Sequence, residues 1–387
     1  MKKKILGLEK NVFFLGLTSL FNDFSSEMIF SIFPAFFVSV LHVGARSLGL
    51  VDGFAEAASN LFKIYSGSLS DKIQKRKFLV VSGYTLSVIT RPFYILVSSV
   101  GGVFGLRFVD RIGKGLRDSP RDAIISLSVP KEELGKSFGY HRTMDTTGAI
   151  LGPLFAYLIL RFFPMRFDYV FITAFAVGII AVLTLIFISD VVAVSSSRKI
   201  FIGAWGNLSS QFKFFLLSIF ILSIGSLPVA IVLLKTTSIG LLIADIPLFY
   251  MIYSISYAVF SLPAGKLSDI IGTRVVLFIG YTLLLLSYFV LNKSSGLSML
   301  VIGFLIFGLF PAFTDGVGRS LASKLTNENS RGGGLGWLNA AIGFGALFSG
   351  VFGGYIWQVY GSETAFITGA IIIFIGLIIF ILSSFKK

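Results

Sequence analysis

Apolar stretches of roughly 18 to 25 residues recur along the whole 387-residue chain. That is the length a helix needs to cross about 30 Å of hydrocarbon. Runs such as Val170 to Ile188 and Ala370 to Leu382 are continuous rather than alternating in polarity, which excludes the short strands of a membrane barrel. A helix satisfies its own backbone hydrogen bonds in lipid, so the chain reads as an all-α, polytopic membrane protein. Only 13% of residues are charged, against about 25% in soluble domains.

Twelve segments are predicted, over 12–40, 47–69, 78–99, 101–127, 134–160, 168–189, 213–234, 246–268, 274–292, 297–323, 333–356 and 363–384. An even count places both termini on one side. That side carries 22 of the Lys and Arg residues assigned to loops and ends, and the opposite loops carry Arg46, Arg161, Arg166, Lys235 and Lys293. The bias puts both termini in the cytoplasm. It also accounts for the net charge of +14, so a nucleic-acid partner is not expected. The basic start, Met1 to Lys10, reads as the flank of a retained first helix, because Asn22, Asp23 and Glu27 interrupt the apolar stretch that follows. The chain has no cysteine and two histidines, His42 and His141, which leaves no basis for a thiolate or histidine metal site. No cofactor and no metal are expected.

The longest polar interval, Asp190 to Gln211, divides the chain into an N-terminal bundle (1–190), a linker (191–212) and a C-terminal bundle (213–387). The halves repeat one another. Gly67-Ser68-Leu69-Ser70-Asp71-Lys72-Ile73-Gln74-Lys75-Arg76 follows the second segment, and Gly265-Lys266-Leu267-Ser268-Asp269-Ile270-Ile271-Gly272-Thr273-Arg274 follows the eighth. Asp71 and Asp269 are 198 positions apart, while Asp118 and Asp315, and Gly135 and Gly332, are 197 apart. Several matches at nearly one offset indicate an internal duplication, a habit of secondary transporters.

These loops resemble the conserved loop motif of the major facilitator superfamily. Gly148-Ala149-Ile150-Leu151-Gly152-Pro153 is similar to that superfamily's fifth-helix Gly-Pro motif, associated with antiporters. Gln74 replaces the usual glycine in the first loop, and Thr273 the usual first basic residue in the second. Asp110-Arg111-Ile112-Gly113-Lys114-Gly115 with Ser119-Pro120-Arg121-Asp122-Ala123 resembles a prokaryotic subgroup without an assigned cargo. The resemblance implies two six-helix bundles that alternate access to a central site lined by the first and fourth helices of each half. It implies a multi-pass protein of a prokaryotic plasma membrane, taken here as a monomer. Gly67, Asp71, Lys75, Arg76, Gly265, Asp269 and Arg274 then form a conformational gate, the carboxylates facing a positive helix N-terminus or nearby cations; a merely solvated loop is the alternative.

Charge inside a span is costly and marks candidate function. Six acids (Asp23, Glu27, Asp52, Glu56, Asp110, Asp145) and six bases (Lys63, Arg91, Arg107, Arg111, Lys114, Arg142) lie deep in the first half. Their sum is zero, as a paired interior requires. Asp110 with Lys114, and Arg142 with Asp145, have spacings that allow pairing on one helix. The candidates for proton coupling are Asp23, Glu27, Glu56 and Asp110. A substrate cavity is expected from Arg91, Arg107, Arg111, Lys114 and Asp145, with Tyr253, Tyr257 and Asn339 from the second half; an aromatic stripe can equally be a packing face. No Walker sequence follows Arg331-Gly332-Gly333-Gly334, and no catalytic constellation stands out, so an enzyme is not expected. The reading is a secondary transporter, exporting a small organic or drug-like solute against protons, or moving an anionic solute or lipid. A channel or receptor is a further alternative.

Overall fold

A computed structural model describes residues 4–73, 75–191, 205–206, 208–326 and 331–385. The side chains of Ser68, Asp71, Lys131, Ser238, Arg331, Gly332 and residues 383–385 lie outside that description, as does most of the expected linker. The first six helices are α1 (Lys10–Ser39), α2 (Ala45–Ile73), α3 (Arg76–Phe93), α4 (Val100–Ser128), α5 (Leu134–Phe162) and α6 (Phe167–Thr184). Then come α7 (Ser210–Gly225), α8 (Val229–Leu233), α9 (Ile246–Ile271), α10 (Thr273–Lys293), α11 (Leu297–Lys324), α12 (Arg331–Phe348) and α13 (Gly354–Phe385). A two-residue hairpin, Lys4–Ile5 against Leu8–Glu9, precedes α1.

Local chemistry explains the ends. The Ser99 and Ser209 hydroxyls accept from the Gly102 and Phe212 amides, capping α4 and α7. The predicted segment 213–234 is not one helix: Pro228 cannot donate to the ladder, and the chain breaks between Gly225 and Val229. Past α12 a π-helical turn, Ser349–Gly353, leads into α13. Gly361 bends α13 with φ +88°, a conformation that suits glycine.

Eight described segments are long and apolar enough to cross a bilayer, the last of them, Gly333–Leu382, being 50 residues long. The charged helices α1, α2 and α4 are not among them, because Asp23, Glu27 and the α4 cations dilute their hydropathy. Apolar side chains point outward instead of inward on several helices. Ile172 and Leu183 on α6, and Ile186 just after it, are 52%, 52% and 66% exposed, and Ile371 and Phe374 on α13 are 56% and 60% exposed. A water-soluble surface does not tolerate so continuous an apolar face.

The chain forms two compact units: Met1–Phe36 with Ala58–Ser197, and Phe37–Ala57 with Arg198–Lys387. In the second unit, the N-terminal part of α2 crosses the π-helical turn at glycine. A Cβ on Gly53 would lie 3.1 Å from the Leu347 carbonyl oxygen, and one on Gly350 would lie 2.9 Å from the Gly53 Cα. The Arg46 amide donates to Gln358 at 3.0 Å beside this crossing.

Within the first unit, α3 and α4 approach the same way. A Cβ on Gly83 would lie 2.6 Å from the Gly113 carbonyl oxygen and 2.8 Å from the Arg117 Cβ, whereas one on Gly105 meets nothing within 4 Å. Gly83→Val is therefore expected to overpack this crossing, at a cost of about 1–3 kcal/mol, and to lower the melting temperature in detergent. Gly105→Val should leave it unchanged. Equal melting of the two variants would remove the close crossing from the account.

Candidate functional site

Most charged side chains inside the helices of the first unit fall into three groups, each with a member on α4. The α4 backbone explains the spacing. Gly113 lies against α3, where an added Cβ would meet the Gly83 carbonyl oxygen at 2.6 Å. Gly115 lies against α2, where it would meet the Ser59 carbonyl oxygen at 2.8 Å. With two faces of α4 given to close packing, its Arg, Asp and Lys residues occupy what remains.

The first group sits at α3 and the N-terminal half of α4. Asp110 lies 3.6 Å from Arg107 and 3.9 Å from Arg111, so its neighbours differ from the expected Lys114. The Arg107 guanidinium covers the Phe30 and Phe33 rings at 4.7 and 5.1 Å, the arrangement of a cation–π contact. Arg91, 2% exposed, donates to Asn22 at 2.8 Å and to Ser25. Ser25 in turn donates to the Ala174 carbonyl of α6. A narrow cleft is lined by Ser26, Ile29, Thr90, Arg91, Tyr94, Arg107 and Asp110. Arg91 thus fastens α1 to α3 while also facing the cleft.

The second group lies in the C-terminal part of α4. Asp118 receives Lys63 of α2 at 3.2 Å, Arg121 at 3.7 Å and Arg117 at 3.9 Å. Arg117 also donates to Ser87 at 2.9 Å and covers the Tyr84 ring at 4.3 Å. Arg121 makes a second pair with Asp122 at 2.9 Å.

The third group joins α1 to α5. A Cβ on Gly148 would lie 2.8 Å from the Phe24 amide nitrogen and 3.2 Å from the Asp23 Cβ. One on Gly152 would lie 2.6 Å from the Phe24 carbonyl oxygen and 3.0 Å from the Glu27 Cβ. The two glycines of the fifth-helix motif are thus the seats of the α1 segment bearing Asp23 and Glu27. Asp145, one turn before Gly148, accepts from Ser19 at 2.7 Å and from Arg142 at 3.2 Å, the latter as its spacing predicts. Lys114 interacts electrostatically with Asp23.

The other expected site residues lie elsewhere. Asp52 and Glu56 belong to the second unit, Asp52 buried and Glu56 half-buried. Tyr253 stacks on Tyr250 and meets the Phe307 ring at a tilt, with ring centroids at 5.7 and 5.3 Å. The Tyr257 hydroxyl donates to Asp315 at 2.9 Å. Asn339 is half-buried on α12. Of the loop residues, the Asp71 side chain and Gln74 lie outside the described residues. Gly67 would place a Cβ 3.5 Å from the Ser119 Cβ. Lys75 is exposed, and buried Arg76 donates to the Val191 carbonyl at 2.9 Å. Lys77 donates to the Ile188 carbonyl at 2.7 Å, so this basic run caps the end of the α6 region, as cations suit a helix C-terminus. Asp269 is exposed, Gly265 and Arg274 are half-buried, and Gly272 turns with φ +95°. Ser19, Ser25 and Ser87 were not singled out by charge; Ser19 and Ser87 stand one helical turn from Asp23 and Arg91, and Ser25 stands two residues from Asp23. Among the described residues no group of three or more His, Cys, Asp or Glu could hold a metal ion.

The family model described as Major Facilitator Superfamily matches residues 15–234 and 214–386. An uncharacterised MFS-type transporter of Methanocaldococcus jannaschii is 35% identical over 386 residues, covering 95% of each chain. The class B tetracycline resistance protein of Escherichia coli is 32% identical over 116 residues, 30% of this chain and 29% of that one. Among solved structures, a mutant of the nucleoside transporter NupG aligns over 97% of this chain and 100% of that one with TM-score 0.85 and 16% identity, a likeness of fold. The relatives and neighbours are transporters, not enzymes.

Asp118 carries one carboxylate among three cations. Asp118→Asn should lower the melting temperature by several degrees, because it leaves buried cations facing a neutral amide. Adding Lys63→Met should restore part of the loss. A double variant as unstable as the sum of the singles would show that the pair does not interact.

Proposed function

The chain belongs to the Major Facilitator Superfamily, and from that premise we propose that it is a proton-coupled exporter of a small organic or drug-like solute. It works as twelve spans in two six-helix bundles, 1–190 and 213–387 with a linker over 191–212, both termini in the cytoplasm, acting as a monomer in a prokaryotic plasma membrane. The observation that carries the reading is the seating of Asp23 and Glu27 on Gly148 and Gly152. A carboxylate held in a low-dielectric interior binds or loses a proton when water or a cation reaches it. Helices in glycine contact can slide with little steric penalty. Motion of α1 against α5 then changes what Asp23 and Glu27 face. Asp110, between Arg107 and Arg111, and Glu56 are secondary candidates for the same duty. The partial likeness to a tetracycline resistance protein supports a drug-like cargo.

A second reading is movement of an anionic solute or lipid. It is favoured by the cleft where Arg91 and Arg107 line one wall, since guanidinium groups bind carboxylate and phosphate in a planar fork. Everted vesicles carrying an acid-inside gradient, reported by a quenched pH dye, separate the readings. Tetracycline and other cationic drugs should dissipate the gradient through the wild type and not through Glu27→Gln. Dissipation by organic anions alone would favour the second reading. Unchanged drug-driven dissipation in Glu27→Gln would remove Glu27 from proton coupling.

The gate reading concerns Asp71 and Asp269, whose contacts exist only while the cytoplasmic side is closed. The chain has no cysteine, so one introduced at Ser126→Cys near the inner end of α4 reports accessibility without background. Asp71→Asn should raise its labelling rate by a maleimide several-fold. An equal rate would leave the loop motif a solvated turn.

A further inference from the structure

The hairpin ahead of α1 pairs Lys4 with Glu9 and Ile5 with Leu8. Both residues of its turn take positive φ, Leu6 at +50° and Gly7 at +75°, which matches the twist of a tight hairpin. Leu6 is 87% exposed, and leucine seldom adopts that backbone conformation. A two-stranded hairpin this short does not hold itself in water. What holds it is the rest of the first unit.

Two of its anchors are buried. Leu8 packs with Val12 and Leu15 of α1, Ile124 and Ile125 of α4, and Leu185 and Ile188 just after α6. Asn11, 4% exposed, donates its side-chain amide to the Ser128 hydroxyl at 3.0 Å and to the Ser189 carbonyl at 3.2 Å. Its side-chain oxygen accepts from the Ser189 amide at 2.8 Å. Hairpin, α1, the end of α4 and the end of the α6 region are thereby one block.

α5 is tied to that block differently. Lys4 meets Glu133, the residue before α5, at 2.9 Å, and Lys136 in the first turn of α5 donates to the Gly7 carbonyl at 2.9 Å. The Lys4 and Glu133 side chains are 53% and 35% exposed, and Lys136 is exposed. Exposed ion pairs are weak and screened by salt. The next contact along α5 is Tyr140. Its ring stacks on Phe13 with centroids 6.2 Å apart, and a Cβ on Gly16 would overlap it. Gly148 and Gly152 continue the same line against Leu20, Phe24 and Met28. The hairpin therefore grips α5 at the start of the seam along which α5 meets α1.

The second unit repeats the position with other chemistry. Trp337 of α12 lies 197 residues after Tyr140. Its ring meets Trp205, ahead of α7, with centroids 4.6 Å apart, and Lys213 covers the Trp205 ring at 5.4 Å. In each half a segment that precedes the first helix reaches an aromatic side chain near the start of the fifth.

We propose that the hairpin is a brake on the α1–α5 seam: while its two lysine links are made α5 is held, and α5 moves along α1 only after they part. The proposal rests on the reading of that seam as the moving part of a proton-coupled transporter. The unequal anchors carry it. Leu8 and Asn11 are buried and keep the hairpin on its block, whereas the links that must break lie in water, where breaking them strands no buried polar group.

Hydrogen–deuterium exchange of the purified full chain tests the grip without any cargo. Lys4→Gln combined with Lys136→Gln should raise exchange across residues 134–152 several-fold and leave α3 unchanged. Lys10→Gln, on α1 beside the hairpin, should change neither. Unchanged exchange over 134–152 in the double variant would overturn the grip. A zero-length carbodiimide, which joins an amine to a carboxylate in contact with it, then fixes the brake. Crosslinked wild type in everted vesicles should lose drug-driven proton flux at least several-fold relative to equally treated Lys4→Gln, which lacks the amine. Equal flux in the two would show that α5 need not leave the hairpin, and would overturn the brake. Flux absent from untreated wild type would count instead against the proton-coupled reading, and the grip would stand or fall on exchange.

Discussion

Charge cannot be left alone in a bilayer, and that constraint organises the first unit. Each ionised side chain of α4 needs an opposite charge, a π face or a cluster of polar oxygens within reach, since an unpaired buried charge costs several kcal/mol. Arg107 finds Asp110 and two phenyl rings; Arg117 finds Asp118, Ser87 and the Tyr84 ring; Lys63 crosses from α2 to Asp118. These contacts demand helices closer than ordinary side chains allow. Glycine supplies that closeness, at Gly83 and Gly113 between α3 and α4, at Gly115 against α2, and at Gly148 and Gly152 against α1. Small residues and ionised residues are thus two parts of one solution: the first set the helix spacing, and the second exploit it.

Position along α4 then separates two kinds of charge. Toward the C-terminal end, Asp118 is surrounded by three cations on two helices, a dense network that resists rearrangement. Toward the middle, Asp23 and Glu27 of α1 rest on a glycine seam, where Lys114 interacts with Asp23 and Arg142 pairs with Asp145 of α5. A seam without interlocking side chains offers little resistance to sliding, so the groups bound across it are those whose partners can change. The Asp118 network reads as scaffold and the α1–α5 seam as the moving part.

Much of this was legible in the sequence, and the reason is physical. Membrane spans announce themselves by length and apolarity, and charges inside them stand out because lipid makes them rare. Arg142 with Asp145 was legible because their spacing puts them on one helix face. Asp110 was not: its spacing to Lys114 is equally good, but Arg107 and Arg111 sit closer, and packing of Gly113 and Gly115 decides which way the helix turns. The Gly-Pro motif was legible as a motif, though not as the seat of Asp23 and Glu27, since sequence says nothing of which helix fills a glycine's space. The basic run after α2 reads as a gate partner by charge alone. In the structure Arg76 and Lys77 bond to carbonyls at the end of the α6 region, a demand that arises only once that helix terminus is nearby.

The duplication carries the argument one step further. Asp118 and Asp315 stand at equivalent places in the repeat, and each receives a side chain from the second helix of its own half. In one half that donor is the Lys63 ammonium, with two arginines in support; in the other it is the neutral Tyr257 hydroxyl. The fold therefore needs a tie between those two helices at that depth, and either chemistry can supply it. What the duplicated ancestor did not require is the surrounding charge. In the second half Tyr250, Tyr253 and Phe307 stack where the first half carries ions, and aromatic stacking holds helices together without regard to pH.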